Sequence, residues 1–306
     1  MKPIDVGVMR AVYTRLIRVF RKILPARFFE TRFFRKVFFN CADPGSLLIS
    51  NGLNETFVIA ASDKVIGKEV FIGREPYDFE KIETALKLLG DHKRTLMIDV
   101  GANIGTICIP AVKRGLFQRA VAIEPEPLNY SLLVANISIN QLGDKIITHN
   151  IALGEKDDQS LIFELSEDNY GDHRIRVGSD SGLFNEDGRK IIRVKSETLN
   201  KIMGEGDASA NATLIWMDTQ GFEGYVLSGA SKALEQKTPI CLEFWPYGMA
   251  RSKCYSRLKD ALTSNGYRFF YNLDNKAYAT PLTSQSLDSL YNELGEGGSF
   301  SDLLVV

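Results

Sequence analysis

Asp99, Gly101 and Gly105, in the stretch LMIDVGANIG from Leu96 to Gly105, are spaced for a ligand-binding loop. Leu96, Met97 and Ile98 make a short apolar run that predicts a buried parallel strand, and Asp99 is expected where that strand leaves its sheet. Neither glycine carries a Cβ to keep a ligand off the backbone. Residues 104–112 return to apolar spacing compatible with a helix, so Ala102 and Asn103 fall in a tight strand-to-helix turn. A dinucleotide loop needs G-x-G-x-x-G. Here the spacing is Asp-x-Gly-x-x-x-Gly, with Asn103 where a middle glycine would stand. A carboxylate at Asp99 repels pyrophosphate and attracts ammonium and sulfonium charge.

A second acid stands nineteen residues beyond Gly105, where the apolar strand expected at 120–123 ends in Glu124-Pro125. A carboxylate there accepts hydrogen bonds from both hydroxyls of a ribose. The strand expected at 145–153 brings Ile151 and Ala152 to the place where backbone groups meet an adenine edge. A sulfonium, a ribose and an adenine together describe S-adenosylmethionine. The bland alternative is an ordinary strand-to-helix turn followed by a surface glutamate.

Further acids end two later strands, Asp218 after 214–217 and Glu243 within 239–244. If methyl is passed to an alcohol, the hydroxyl proton must leave near the transition state, which calls for a base or a metal that acidifies the hydroxyl. His173, in a polar loop expected at 169–187, is the first candidate base, because its ordinary pKa suits proton transfer near neutrality. A solvated loop histidine is the competing reading. Asp218 and Glu243 are expected on neighbouring strands roughly 5 Å apart. Either one is the base, or Asp218 orients the cofactor and Glu243 a substrate hydroxyl, or the two share a divalent ion with His173. The reading taken is metal-free. Arg174 suits an anionic substrate group or a surface ion pair, and Trp245 and Tyr247 suit a sugar face or the core.

Strands and helices must alternate to bring these groups together. Helices are expected at 77–89, 128–142, 196–203, 222–234 and 255–264, and strands at 161–165, 191–194, 268–273 and 303–306, with two short strands across 56–73 around a Ser62-Asp63 turn and a polar loop at 205–211. The order predicts an α/β fold, a mostly parallel twisted sheet with helices on both faces. Ligands bind such sheets at the carboxyl ends of the strands, where Asp99, Glu124, Ala152, Asp218 and Glu243 are all expected.

The chain has 306 residues, 44% hydrophobic and 25% charged, as expected of a soluble globular protein. Its net charge of −1 hides an asymmetry, because residues 1–40 hold ten Lys/Arg against Asp5 and Glu30, a net of +8, leaving −9 for the rest. Two basic, aromatic-rich helical segments are expected, at 11–24 and 28–38, the second carrying Phe28, Phe29, Phe33, Phe34, Val37 and Phe38. The chain divides into a basic helical arm, 1–45, and a catalytic domain, 46–306. Residues 10–39 suit the surface of an anionic membrane, packing on the domain, or a second subunit, and the oligomeric state stays open. The acidic body argues against a nucleic-acid partner. Four scattered cysteines without C-x-x-C, no apolar run of membrane-spanning length and no evident signal peptide predict a cytoplasmic protein, peripheral at the inner membrane face if the arm binds lipid.

With these residues in view, the chain resembles the FkbM family of S-adenosylmethionine-dependent methyltransferases. The resemblance rests on DVGANIG at 99–105, EPEPLNYSLLVANISIN at 124–140, NIALG at 150–154, MDTQGFEGYVLSGA at 217–230 and LEFWP at 242–246, and covers about residues 55–260. It implies a class I, Rossmann-like methyltransferase fold and methylation of a hydroxyl on a sugar, glycolipid or related natural product. It also implies that the loop from Asp99 to Gly105, with Glu124, holds the cofactor and that Asp218 sits at the cofactor-substrate junction. Two other functions compete: a nucleic-acid methyltransferase, disfavoured because Asp-Thr-Gln-Gly replaces a Pro-Pro-aromatic motif, and a non-catalytic membrane or partner adaptor retaining the fold.

Overall fold

A computed structural model describes residues 30–178, 181–204, 212–274 and 278–306. The helix expected at 11–24 and the polar loop expected at 205–211 lie outside these residues. Helix α1 (Arg32–Cys41) leads into a hairpin of β1 (Leu47–Asn51) and β2 (Thr56–Ala60), then α2 (Ile66–Gly73) and α3 (Phe79–Leu89). The alternating part follows as β3 (Leu96–Val100), α4 (Cys108–Lys113), β4 (Arg119–Ile123), α5 (Pro127–Ile139) and β5 (Ile146–His149). An insertion of β6 (Ala152–Leu153), β7 (Gln159–Leu165), β8 (Arg174–Ile175) and β9 (Lys190–Glu197) forms its own sheet in the order β6-β9-β7-β8. After α6 (Leu199–Ile202) come β10 (Leu214–Met217), α7 (Glu223–Ser228), α8 (Ser231–Glu235), β11 (Ile240–Phe244), α9 (Pro246–Ser252) and α10 (Tyr255–Ser264). The chain closes with β12 (Phe269–Asn272), β13 (Thr280–Pro281), α11 (Ser284–Leu294) and β14 (Ser301–Val305).

The main sheet runs β13-β12-β14-β11-β10-β3-β4-β5. From β11 to β5 the neighbours are parallel, and β14 lies antiparallel between β11 and β12. Because side chains alternate across a strand, the sheet carries a core on each face. Met97, Ala120, Ala122 and Trp216 pack on one side, and Ile98, Val121, Ile215 and Met217 on the other.

The hairpin joins this body through two asparagines one helical turn apart, Asn136 on α5 and Asn140 at its C-cap. Asn136 Oδ1 accepts the Val58 amide at 2.6 Å and its Nδ2 donates to Val58 O at 3.2 Å, and Asn140 likewise accepts from Thr56 N at 3.1 Å and donates to Thr56 O at 2.7 Å. The free edge of β2 is closed by side chains.

Several boundaries differ from expectation, each for a local reason. Residues 66–73 form a helix and not a second strand, because the Asp63 carboxylate accepts from Val65 N at 3.1 Å and Gly67 N at 2.7 Å and starts a turn. The strand expected at 145–153 splits into β5 and β6. Between them Asn150 turns to donate to Glu124 O at 2.9 Å and Pro125 O at 3.2 Å. The helix expected at 222–234 breaks at Gly229 and Ala230. Neither α9 nor α11 was expected, although Thr283 caps α11 and Leu287 and Leu290 bury its inner face.

The described part of the basic arm packs on the body. Phe39 is fully buried against Phe71, and Arg35 Nε donates to Phe71 O at 2.6 Å, while Phe33 stays 69% exposed. Among the described residues no helix is long and apolar enough to cross a membrane.

Candidate active site

A cavity of about 610 Å³ opens at the carboxyl ends of the parallel strands, beneath the inserted sheet. Gly101, Ala102, Asn103, Glu124, Pro125, Ile151 and Ala152 all line it, as do Asp218, Glu243 and His173. Gly101 is held at φ 83° by its amide bond to Ile123 O at 2.9 Å, and a Cβ there would lie 1.9 Å from Asp218 O. The Asn103 amide donates to Glu124 Oε2 at 2.8 Å and Glu126 N donates to Oε1 at 2.8 Å. Burial pushes the Glu124 carboxyl up to about 8, so the site pays solvation energy to keep an acid at this wall.

Two expected contacts are not made. Asp99 shares the Met97 side of β3, so its carboxylate points beneath the loop and not into the cavity. There Oδ2 accepts from Cys108 N at 3.1 Å at the start of α4, Oδ1 has no partner, and burial lifts the carboxyl to about 6. Gly105, at φ 90°, also stays out of the cavity, because a Cβ would meet Ile109 at 2.5 Å and Leu133 at 2.9 Å. Both residues shape the loop from below.

The acids beyond the glycine loop form a row. Asp218 follows β10, Glu243 lies on β11, and Asp302 faces Glu243 across the β11–β14 ladder. Gln220 Nε2 donates to Asp218 Oδ1 at 2.8 Å and to Glu243 Oε2 at 3.0 Å. Burial, with the Glu223 charge, lifts Asp218 to about 7, and burial with the Asp218 charge pushes Glu243 well up. Asp302 rises to about 7 through burial, even with Lys81 Nζ at 2.5 Å. Among the described residues no group of three or more His, Cys, Asp or Glu is arranged to hold a metal ion.

His173 is placed in the cavity but cannot serve as the expected base. Its Nδ1 accepts the Ser166 amide at 3.0 Å, which leaves the neutral ring's proton on Nε2. Burial and the nearby Arg189 charge lower the imidazole to about 4. His173 is therefore a neutral hydrogen-bond donor at neutral pH. In ¹⁵N-edited NMR its ring should show the Nε2–H tautomer and no titration between roughly pH 5 and 8. A midpoint near 6.5 would return the ring to the list of bases.

The described residues of the loop expected at 169–187 form a structured strap. Tyr170 O accepts from Asn103 Nδ2 at 2.9 Å and Asn129 Nδ2 at 3.1 Å, and its hydroxyl bonds Ser62 at 2.7 Å. Arg174 is buried away from any substrate, bonded to Glu164 at 3.0 Å and stacked 4.9 Å from the Trp245 ring. Tyr247 also faces inward, donating to Glu186 at 2.6 Å, whereas Trp245 lines the cavity. Sequence reasoning missed Tyr170, Gln220 and Asp302. Only Gln220 carried a signal, as the third residue of Asp-Thr-Gln-Gly.

A parallel sheet with a reversed strand, β14, beside its last parallel neighbours and a short reversed β13 at the edge, a glycine loop after the first parallel strand and an acid after the second define the class I methyltransferase fold. The model of the Methyltransferase FkbM domain matches residues 99–293, and the chain belongs to that family. Among solved structures, a methyltransferase FkbM from Methylobacillus flagellatus is 18% identical, with 78% of this chain and 52% of that chain covered and a TM-score of 0.42. M. jannaschii TYW2, solved in complex with AdoMet, is 14% identical over 86% of each chain with a TM-score of 0.36. The B. subtilis tRNA methyltransferase TrmK is 12% identical, covering 76% of this chain and 66% of that one with a TM-score of 0.39. This chain thus spans about half the length of the M. flagellatus protein. No curated protein matches the chain.

Proposed function

We propose that this protein transfers a methyl group from S-adenosylmethionine to a hydroxyl of a sugar, a glycolipid or a related natural product. The observation that carries the reading is a single cavity with a donor-type wall, Gly101 to Asn103 with Glu124, and an acid pair, Asp218 and Glu243, following on the neighbouring strands. The residues fit the donor. Gly101 lets the loop lie against the Asp218 backbone at the cavity's edge, Glu124 retains acceptor capacity for a ribose diol, and Ile151 and Ala152 offer a strand end to a base edge. When bound, S-adenosylmethionine supplies a methyl group on a positively charged sulfur.

The chain's own residues do the remainder. The ionised member of the Asp218–Glu243 pair takes the acceptor's hydroxyl proton as the oxygen attacks. His173 Nε2–H donates to an acceptor oxygen, and Trp245 and Phe300 supply apolar wall. Asp78, Asp218, Glu243 and Asp302 on the acceptor side oppose a polyphosphate backbone and favour a neutral, hydroxylated molecule.

Two measurements test this. Calorimetry should show S-adenosylmethionine binding to the wild type and at least tenfold weaker binding to Glu124→Ala. Radiolabelled donor should then mark cell glycolipid or polysaccharide fractions. Label that enters only nucleic acid, or no uptake of the donor, overturns the proposal.

A further inference from the structure

Gln220 sits at φ 54°, a left-handed conformation that residues with a Cβ rarely adopt. Its neighbours enforce it. The buried Glu223 carboxylate accepts from Thr219 N at 3.0 Å, Thr219 Oγ at 2.8 Å and Gly221 N at 3.3 Å. Gly221, at φ 89°, lies so close to Gly248 that a Cβ would stand 2.4 Å from its carbonyl carbon. Strain of this kind persists where the surroundings over-determine it, often beside reacting groups.

What the strain achieves is the placement of one amide. Nε2 has two N–H groups, and both are spent, one on Asp218 and one on Glu243, whose backbones belong to different strands. Other charges facing this pair are Glu223 on α7, Asp302 on β14 and Asp78 ahead of α3, all of them acidic. Lys81 on α3 is spent on Asp302, Asp78 and Asp274 at 2.5, 3.3 and 3.1 Å. The bridge between the two carboxyls is therefore an uncharged amide and not a cation.

We propose that Gln220 is a positioning residue that gives one N–H to each of Asp218 and Glu243 and so makes two carboxyls from separate strands act as one proton-accepting unit. The inference rests on the reading of that pair as the base for methyl transfer. Without the amide, the two groups face each other and Asp302 with no bridging donor. Each would then hold its proton more tightly. The amide, unlike a lysine or an ion, leaves the unit's charge free to change when a proton arrives.

The test compares the wild type with Gln220→Met, which keeps the side-chain length and loses both donors, and Gln220→Gly, which loses the donors and relieves the left-handed strain. Carboxyl-¹³C NMR on ligand-free protein follows the pair's titration, and label transfer to the active fraction gives the pH-rate profile. In both variants the two midpoints should rise by about one pH unit or more, a tenfold loss of transfer on the acid side, with donor affinity within about twofold. A merely structural role would lower the rate equally at every pH and leave the midpoints in place. That result, or midpoints unmoved in the glycine variant, overturns the role of Gln220 alone. Midpoints that move in a protein that transfers no methyl overturn the base reading, and the role of Gln220 with it.

Discussion

Gly101→Ala should abolish S-adenosylmethionine binding and lower the melting temperature on the order of 10 °C. An added Cβ at this residue would lie 1.9 Å from the Asp218 carbonyl oxygen, which is backbone and cannot swing aside, and the residue holds φ 83°. Left-handed strain and overpacking together cost about 2–5 kcal/mol. The displaced groups are the two walls of the cavity, the glycine loop and the end of β10, so the damage reaches donor and acceptor sides at once. Gly105→Ala is the informative control. Its Cβ would meet the side-chain tips of Ile109 and Leu133, outside the cavity, so stability should fall while donor affinity largely survives. Differential scanning calorimetry and isothermal titration report the two effects separately, and a Gly101→Ala protein with wild-type affinity would remove the loop from the binding site.

Asp218→Asn and Glu243→Gln should each reduce methyl transfer by about 10²–10⁴-fold, the usual contribution of a general base, with donor affinity changed only a few-fold. Transfer by the wild type should fall as the pH drops through about 7, because Asp218, lifted to that value by burial and the Glu223 charge, must be ionised to accept a proton. Stability should run the other way. The folded protein holds a proton at Asp218 that the unfolded chain gives up near 3.8, so this contribution is complete below 3.8 and is lost as the pH rises to about 7. Asp302, also lifted to about 7, has the same sign. Rate and stability with opposite pH slopes across this window are expected, and a rate that is flat from pH 5 to 8 would exclude the acid pair as the base.

The parallel strands were legible because their apolar runs are short, bounded and end in chemistry-bearing residues. The apolar run after Ser62 was not, since eight residues with this spacing suit a strand or a buried helix equally. What decided it was the Asp63 carboxylate, which caps the turn. Among the residues that line the cavity, Glu124, Ile151, Ala152 and the Gly101–Asn103 part of the glycine loop were legible from spacing alone, whereas Gly105 lies outside it. Asp99 was placed on the wrong side because its facing depends on strand parity relative to Met97, which a five-residue strand barely signals. The role of His173 turned on one backbone donor, Ser166 N, that only the folded strap brings to Nδ1. Asp302 was invisible for a related reason, since it joins the row through a strand pairing with Glu243 across 59 residues of chain.

The Tyr170 strap has a bearing on traffic. Raising it would break the hydrogen bonds that Asn103 Nδ2 and Asn129 Nδ2 donate to its carbonyl, the Ser62 hydrogen bond to its hydroxyl and the hydrogen bond from Lys64 N to Asp168 O. At about 1 kcal/mol net for each, the lifted state would occupy well under one per cent of molecules. Any exchange that requires the strap to rise is slowed by that same factor, so its bonds set a floor on the residence time of whatever lies beneath it.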